Sequence, residues 1–238
     1  MRTRAATYVV AATPRSGSTL LCEGLQATGV AGRPAELFGP LLEHTWKTAW
    51  GLPANVPDDE FVRAALRYGT TGNGVFGMKM HWQHVRFLAG RLGVCGPPGA
   101  VLDALVPRAR FVRIVRRDRR AQAVSLFRAY WTEEWVRFPG SGPPRRPAGE
   151  LRFDRAEIER LEASIEAESA GWQEFFDRRG IEPLMVEYEE LDRDYGRQIA
   201  RVLDHLGADP RAVDRIPAPR LQRQSDRLNA HWIELLEG

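Results

Sequence analysis

Positions 13–19 read Thr13-Pro14-Arg15-Ser16-Gly17-Ser18-Thr19, small and hydroxylated residues around one arginine and one glycine. A turn of small residues that opens a helix presents backbone N–H groups to an anion, and the helix dipole adds roughly half a positive charge there. Ser16, Ser18 and Thr19 offer hydroxyl donors, Gly17 lets the backbone approach closely, and Arg15 adds charge. This is the chemistry of a phosphate or sulfate cradle; taken alone, the run also reads as a Ser/Gly turn capping a helix. It is not a nucleoside-triphosphate loop of the G-x-x-x-x-G-K-[ST] type, because Ala12 stands at the first glycine and Ser18 at the lysine.

A second anion-binding pattern is Val115-Arg116-Arg117-Asp118 followed by Gln122-Ala123-Val124-Ser125. An arginine delivered by a strand and a serine on the next helix can grip a phosphate, the one by its planar fork and the other by its hydroxyl. The alternative is surface arginines and an ordinary helical serine. Two such sites on one sheet suit a ligand with anionic groups at both the 5′ and 3′ ends of a nucleoside. Trp46, Trp50, Trp82, Trp131 and Trp135 are candidates for stacking on a sugar, or for the core.

These residues need elements to hold them. Residues 8–12 read as a buried strand running into the first loop, and a helix starts near Ser18 and stops at Gly29. Residues 30–60 are mixed loop and helix, 61–68 helical, 75–79 a second strand and 101–105 a short helix. Residues 110–115 form a third strand, followed by a helix with Ala121, Val124, Leu126 and Phe127 on its apolar positions. A Pro/Gly-rich surface loop occupies 138–149. A long helix begins at Asp154, with Glu157 completing a capping box, and ends at Gly180. Ile158, Leu161, Ile165 and Trp172 recur along it at helical spacing, as a core stripe. Residues 184–188 read as a fourth strand, 192–205 as a helix closed by Gly207, and 230–236 as a last helix. Strands alternating with helices predict an α/β fold: one domain over 1–238, with a central parallel sheet flanked by helices. Ligands in such sheets sit beyond the carboxyl ends of the strands.

Composition narrows the function. The chain has 238 residues, 34 basic against 31 acidic, so its charge is nearly balanced and mostly interleaved. That argues against nucleic-acid binding. The basic residues are almost all Arg, as a GC-rich bacterial genome would encode; Lys47 and Lys79 are the exceptions. Cys22 and Cys95 have no metal-ligand spacing, and no disulfide framework or zinc site is expected. No apolar run reaches the ~20 residues of a membrane span, and the N-terminus lacks a signal peptide, so a cytoplasmic location is expected.

In these motifs the chain resembles the PAPS-dependent sulfotransferases, PAPS being 3′-phosphoadenosine 5′-phosphosulfate. Residues 13–19 resemble their 5′-phosphosulfate loop, residues 116–125 their 3′-phosphate site, and Met185-Val186-Glu187-Tyr188-Glu189-Glu190-Leu191 their late strand–helix segment. Ala27-Thr28-Gly29-Val30-Ala31-Gly32-Arg33-Pro34-Ala35-Glu36-Leu37-Phe38 is more specific and resembles the bacterial trehalose 2-sulfotransferase family. So do Gly77-Met78-Lys79-Met80-His81-Trp82 and Arg223-Gln224-Ser225-Asp226. The resemblance implies a P-loop-like sulfotransferase fold, PAPS as donor, PAP as product, no metal, a small acceptor with a free hydroxyl, and a homodimer. It implies that Pro14, Arg15, Ser16, Gly17, Ser18 and Thr19 hold the 5′-phosphosulfate, that Arg116 and Ser125 hold the 3′-phosphate, and that Arg223 and Gln224 close over the nucleotide. Glu36 matches the family's general base; Arg15 and Lys79 are placed to stabilise the leaving group.

Two departures bear on that reading. His81 follows Lys79 as the base does in other sulfotransferase branches, and its ordinary pKa near ~6.5 suits it to the task, so Glu36 and His81 are rival bases. The stretch 39–73, where acceptor contacts would lie, departs from the family, which leaves the sugar open. A moving sulfuryl group carries less charge than a phosphoryl group, so metal neutralisation is dispensable. The rivals are a small-molecule kinase, which would need the missing lysine and Mg²⁺, and a non-catalytic nucleotide-binding module.

Overall fold

The computed structural model describes residues 7–222, 224 and 227–237. Strands β1 (Thr7–Ala12), β2 (Phe76–His81), β3 (Arg110–Val115) and β4 (Leu184–Glu187) form one sheet in the order β2-β1-β3-β4. Every pairing is parallel, and Ala12 is level with His81 at the carboxyl edge. β1 leads to β2 on one side, whereas β3 leads to β4 on the other. The crevice between the ends of β1 and β3 is therefore the switch point at which such sheets bind ligands.

Strand alternation splits the core in two. Tyr8, Val10 and Ala12 pack against α1 (Ser18–Ala27) and α9 (Tyr195–Leu206) through Leu21, Leu25, Ile199 and Val202. Val9 and Ala11 face the opposite layer. It is built from α3 (Asp58–Gly69), α4 (Trp82–Arg91), α5 (Ala100–Leu105) and the long α7 (Arg155–Arg179), whose Trp172, Phe175 and Phe176 fill the centre. A third cluster joins α7 to α6 (Arg119–Thr132) and α10 (Arg227–Glu237), with Trp232 between Phe127 and Phe153.

The helix ends follow local chemistry. Asp118, Asp154 and Asp194 each accept a backbone N–H from the first turn of α6, α7 and α9. Gly180 and Gly207 close α7 and α9 in the left-handed region. Several boundaries differ from the sequence expectation. β2 continues to His81, so that imidazole sits at a strand end. The fourth strand stops at Glu187, because Tyr188 opens α8 (Tyr188–Arg193). The helix expected over 192–205 is interrupted at Asp194, whose backbone leaves the helical region and whose side chain caps α9. The region 30–60 contains α2 (Glu43–Ala49), and the last helix starts at Arg227.

Candidate active site

The first anion element is built from outside as well as within. Trp172 of α7 donates its indole N–H to Ala12 O (3.0 Å), fixing the end of β1. Gln122 of α6 donates to Thr13 Oγ1 (2.8 Å) and Pro14 O (2.6 Å), occupying acceptors on the loop. Arg15 and Gly17 both take positive φ, 62° and 85°, a backbone pattern that forms anion-binding concavities. A Cβ on Gly17 would lie 2.4 Å from the Tyr188 ring. Among the described residues no side chain caps α1, and the buried Ser16 hydroxyl has no partner. These are the open donors that a bound anion would satisfy.

The two anion signals in the sequence meet in space. Arg15 donates Nε–H to Ser125 Oγ (2.9 Å), and its other nitrogens reach Trp135 O and Gln224 Oε1. Burial, then the neighbouring Arg116, lower the Arg15 guanidinium to about 10. Arg116 stacks on Tyr188 with its Cζ 4.9 Å from the ring centre, and its Nε is buried and unpartnered. Ser125 thus contacts the arginine of the first loop, and Tyr188 joins Gly17 to Arg116. Arg117 faces outward to Glu187 and Glu189. Arg223 lies outside the described residues.

The catalytic candidates surround the end of β2. Lys79 is buried, with Nζ 2.7 Å from Glu36 Oε2 and 3.4 Å from the Thr19 hydroxyl, which accepts from it. The Glu36 segment is pinned on both sides. Lys79 N–H donates to Ala35 O (2.9 Å) and the Trp46 indole to Glu36 O (2.9 Å). His81 Nδ1 and His84 Nε2 lie 4.0 and 3.6 Å from Glu36 Oε1. Gly39 makes room there, since a Cβ on it would stand 3.2 Å from that oxygen. Burial raises the Glu36 carboxyl, but Lys79 and the two imidazoles outweigh it and hold the group at about 2. His81 is pushed down to about 3 by burial, with Lys79 and His84 adding to it and Glu36 opposing. The free-solution basicity that recommended His81 is absent here.

His84 escaped the sequence reading, although His81-Trp82-Gln83-His84 is a visible i, i+3 pair. The nearest acid, Glu36, is far away in the chain. Glu168 of α7 is a second addition. Burial raises its pKa to about 7, outweighing the backbone N–H groups of Trp82 and Gln83 at the start of α4, which lower it. Of the tryptophans, Trp82 packs on Trp172 and Phe175 in the core, while half-buried Trp46 and Trp50 stack 5.2 Å apart beside Tyr68. A shallow cleft is lined by Phe38, Gly39, Glu43, Asp58, Phe61 and Arg91 among others, and Gly39 also borders Glu36.

Comparison with known proteins gives a consistent picture. The family model described as Stf0 sulphotransferase matches residues 7–236. The chain is 32% identical to trehalose 2-sulfotransferases from Mycobacterium tuberculosis and Mycolicibacterium smegmatis, over 95% of this chain and 92% of each relative. A crystal structure of a sulfotransferase from Alicyclobacillus acidocaldarius superposes with a TM-score of 0.53 at 15% identity, covering 99% of this chain and 95% of that one, which speaks to the fold.

Proposed function

The chain belongs to the Stf0 sulphotransferase family and is a sulfotransferase; from that premise we propose that it moves a sulfuryl group from PAPS to a hydroxyl of a small, sugar-containing acceptor. The observation that carries this reading is the position of Lys79, whose ammonium lies between Thr19 of the anion loop and the carboxylate of Glu36. One cation thus links a donor side to an acceptor side. The unpartnered Ser16 hydroxyl and Arg116 Nε, and the uncapped start of α1, fit the charged ends of PAPS.

PAPS, when bound, supplies an activated sulfuryl group and a phosphate that leaves as PAP. Residues 14–19 bind the 5′ end by backbone N–H and hydroxyl groups. Arg116 and Ser125 bind the 3′ phosphate, Gln224 and Arg223 cover the nucleotide, and Arg15 shifts from Ser125 toward the leaving oxygens. Lys79 turns from Glu36 to the bridging oxygen beside Thr19. Its departure removes the chief influence depressing Glu36, and burial then raises that carboxylate's basicity. Glu36 takes the proton of the attacking hydroxyl at Oε1, while His81 and His84 line that oxygen as neutral groups. A polyhydroxyl acceptor is the choice that the similarity to trehalose 2-sulfotransferases supports, a disaccharide of the trehalose class first. Unpaired thiols at Cys22 and Cys95 agree with a cytoplasmic setting. A homodimer belongs to the same reading; light scattering that returns the 26.9 kDa monomer would remove it.

The deciding experiment is thermal unfolding with PAP against ATP and Mg²⁺. Saturation at 100 times Kd should stabilise by about 2.7 kcal/mol. The PAP response should vanish in Arg116→Ala and be absent with ATP; the reverse pattern replaces the reading with a kinase. Glu36→Gln should keep the PAP response and lose about 10²–10⁴-fold in kcat. Full turnover in that variant removes Glu36 as the base.

A further inference from the structure

Among the described residues, Glu36, His81 and His84 bring one carboxylate oxygen and two imidazole nitrogens within 4.8 Å of one another. The sequence shows only the His81–His84 pair and not the full set, because Glu36 comes from the loop after α1 and the imidazoles from the β2–α4 junction. We propose that these three side chains form a binding site for a zinc-class transition-metal cation, and that its occupancy blocks sulfuryl transfer.

Geometry supports the first part. Metal–ligand bonds of about 2.0–2.2 Å in a tetrahedron put neighbouring donor atoms about 3.3–3.6 Å apart. Glu36 Oε1 is already 3.6 Å from His84 Nε2 and 4.0 Å from His81 Nδ1. The carboxylate oxygen needs to close by only a few tenths of an ångström, and the two imidazole nitrogens, which lie within 4.8 Å of each other, by no more than about 1.5 Å. Among the described residues, His81 Nε2 and His84 Nδ1 have no hydrogen-bond partner that would hold the rings against such a shift. Both imidazoles are more than nine-tenths buried, while Glu36 is partly open, so a fourth ligand position can face the acceptor side. Two imidazoles, one carboxylate and an open position match zinc, cobalt and nickel rather than magnesium or calcium.

Charge is the objection. Lys79 lies 2.7 Å from Glu36 Oε2. However, it engages the oxygen that the imidazoles do not approach, and a ligating carboxylate commonly keeps such a hydrogen bond. The blocking role rests on the reading of Glu36 as base: a cation on Oε1 takes the lone pair that would receive the acceptor proton. Binding itself does not depend on that reading.

The test is titration of the tag-free enzyme with Co²⁺, read by its visible ligand-field absorption. One equivalent should give the intense bands of a tetrahedral ion, and Zn²⁺ should abolish them by displacement. His84→Ala and His81→Ala should each weaken binding at least tenfold, whereas Cys95→Ser, which removes the exposed thiol, should not change it. Retention of the PAP-induced thermal shift shows that a variant is folded. Bands that never form, or that survive both histidine substitutions, overturn the site. Zn²⁺ should inhibit turnover at the concentration at which it displaces Co²⁺, and a chelator should restore it. Zinc-loaded enzyme with full turnover overturns the blocking role, and Glu36→Gln activity then reports separately on the base.

Discussion

A carboxylate held at about 2 by an ammonium group is a poor proton acceptor, and Glu36 is in that state while Lys79 faces it. Its basicity depends on where a neighbouring side chain points. This sets the pH profile. With donor bound and Glu36 as base, kcat should be level above about pH 6 and fall below about pH 5; a limb centred near ~6.5 would assign the proton to an imidazole. Glu168 gives a prediction of opposite sign for stability. Its folded pKa of about 7 lies above the ordinary glutamate value of 4.5, so the native state binds more protons between those values. Stability is then lost as pH rises through that window. Glu168→Gln removes the titrating group and should be more stable than wild type at pH 8 by up to about 3 kcal/mol, with little difference at pH 5. Denaturant melts at the two pH values check this, and a gap independent of pH refutes it. Neither effect is visible in the sequence, where Glu36 stands out only by its family resemblance and Glu168 not at all; burial and partners shift them.

The strands and most helices were legible because their signals are local. The bounds of β3 match its apolar run, and Gly180 and Gly207 end helices as glycine's tolerance of positive φ dictates. Where the reading failed, a local signal was absent or ambiguous. The helix α2 buries none of its residues fully and lies among prolines, so it shows no apolar stripe. Asp194 reads as a helical position until its side chain is seen capping Arg197. The two anion elements were legible separately, but the Arg15–Ser125 contact that joins them spans 110 positions. The first loop carries its own prediction. Gly17→Ala places a methyl at positive φ and drives it into Tyr188, the platform for Arg116. PAP affinity should drop at least tenfold by calorimetry; unchanged affinity would mean that Tyr188 yields without consequence.

At the scale of the molecule, the strand order β2-β1-β3-β4 puts the three chemistry-bearing ends side by side: Lys79 on β2, the anion loop after β1 and Arg116 after β3. Alternating elements announce a parallel sheet but not this order, which long-range packing decides. The closing segment of the chain is also part of the fold. Trp232 and Leu236 of α10 are buried against α6 and α7, and Gln224 reaches the arginine of the first loop. Deleting residues 217–238 uncovers the Trp232 and Leu236 contacts, and should lower the melting temperature by several degrees while weakening PAP binding; a chain that binds PAP unchanged would limit this segment to a structural role. The Arg15–Gln224 contact also has a kinetic consequence. On the proposed reading, in which Gln224 covers the nucleotide, release of PAP requires the Arg15–Gln224 contact to open, so product dissociation should trail the chemical step. Rapid-mixing traces should then show a burst of sulfated acceptor equal to the enzyme present, and accumulating PAP should slow later cycles. In the cell such an enzyme would depend on whatever activity clears PAP.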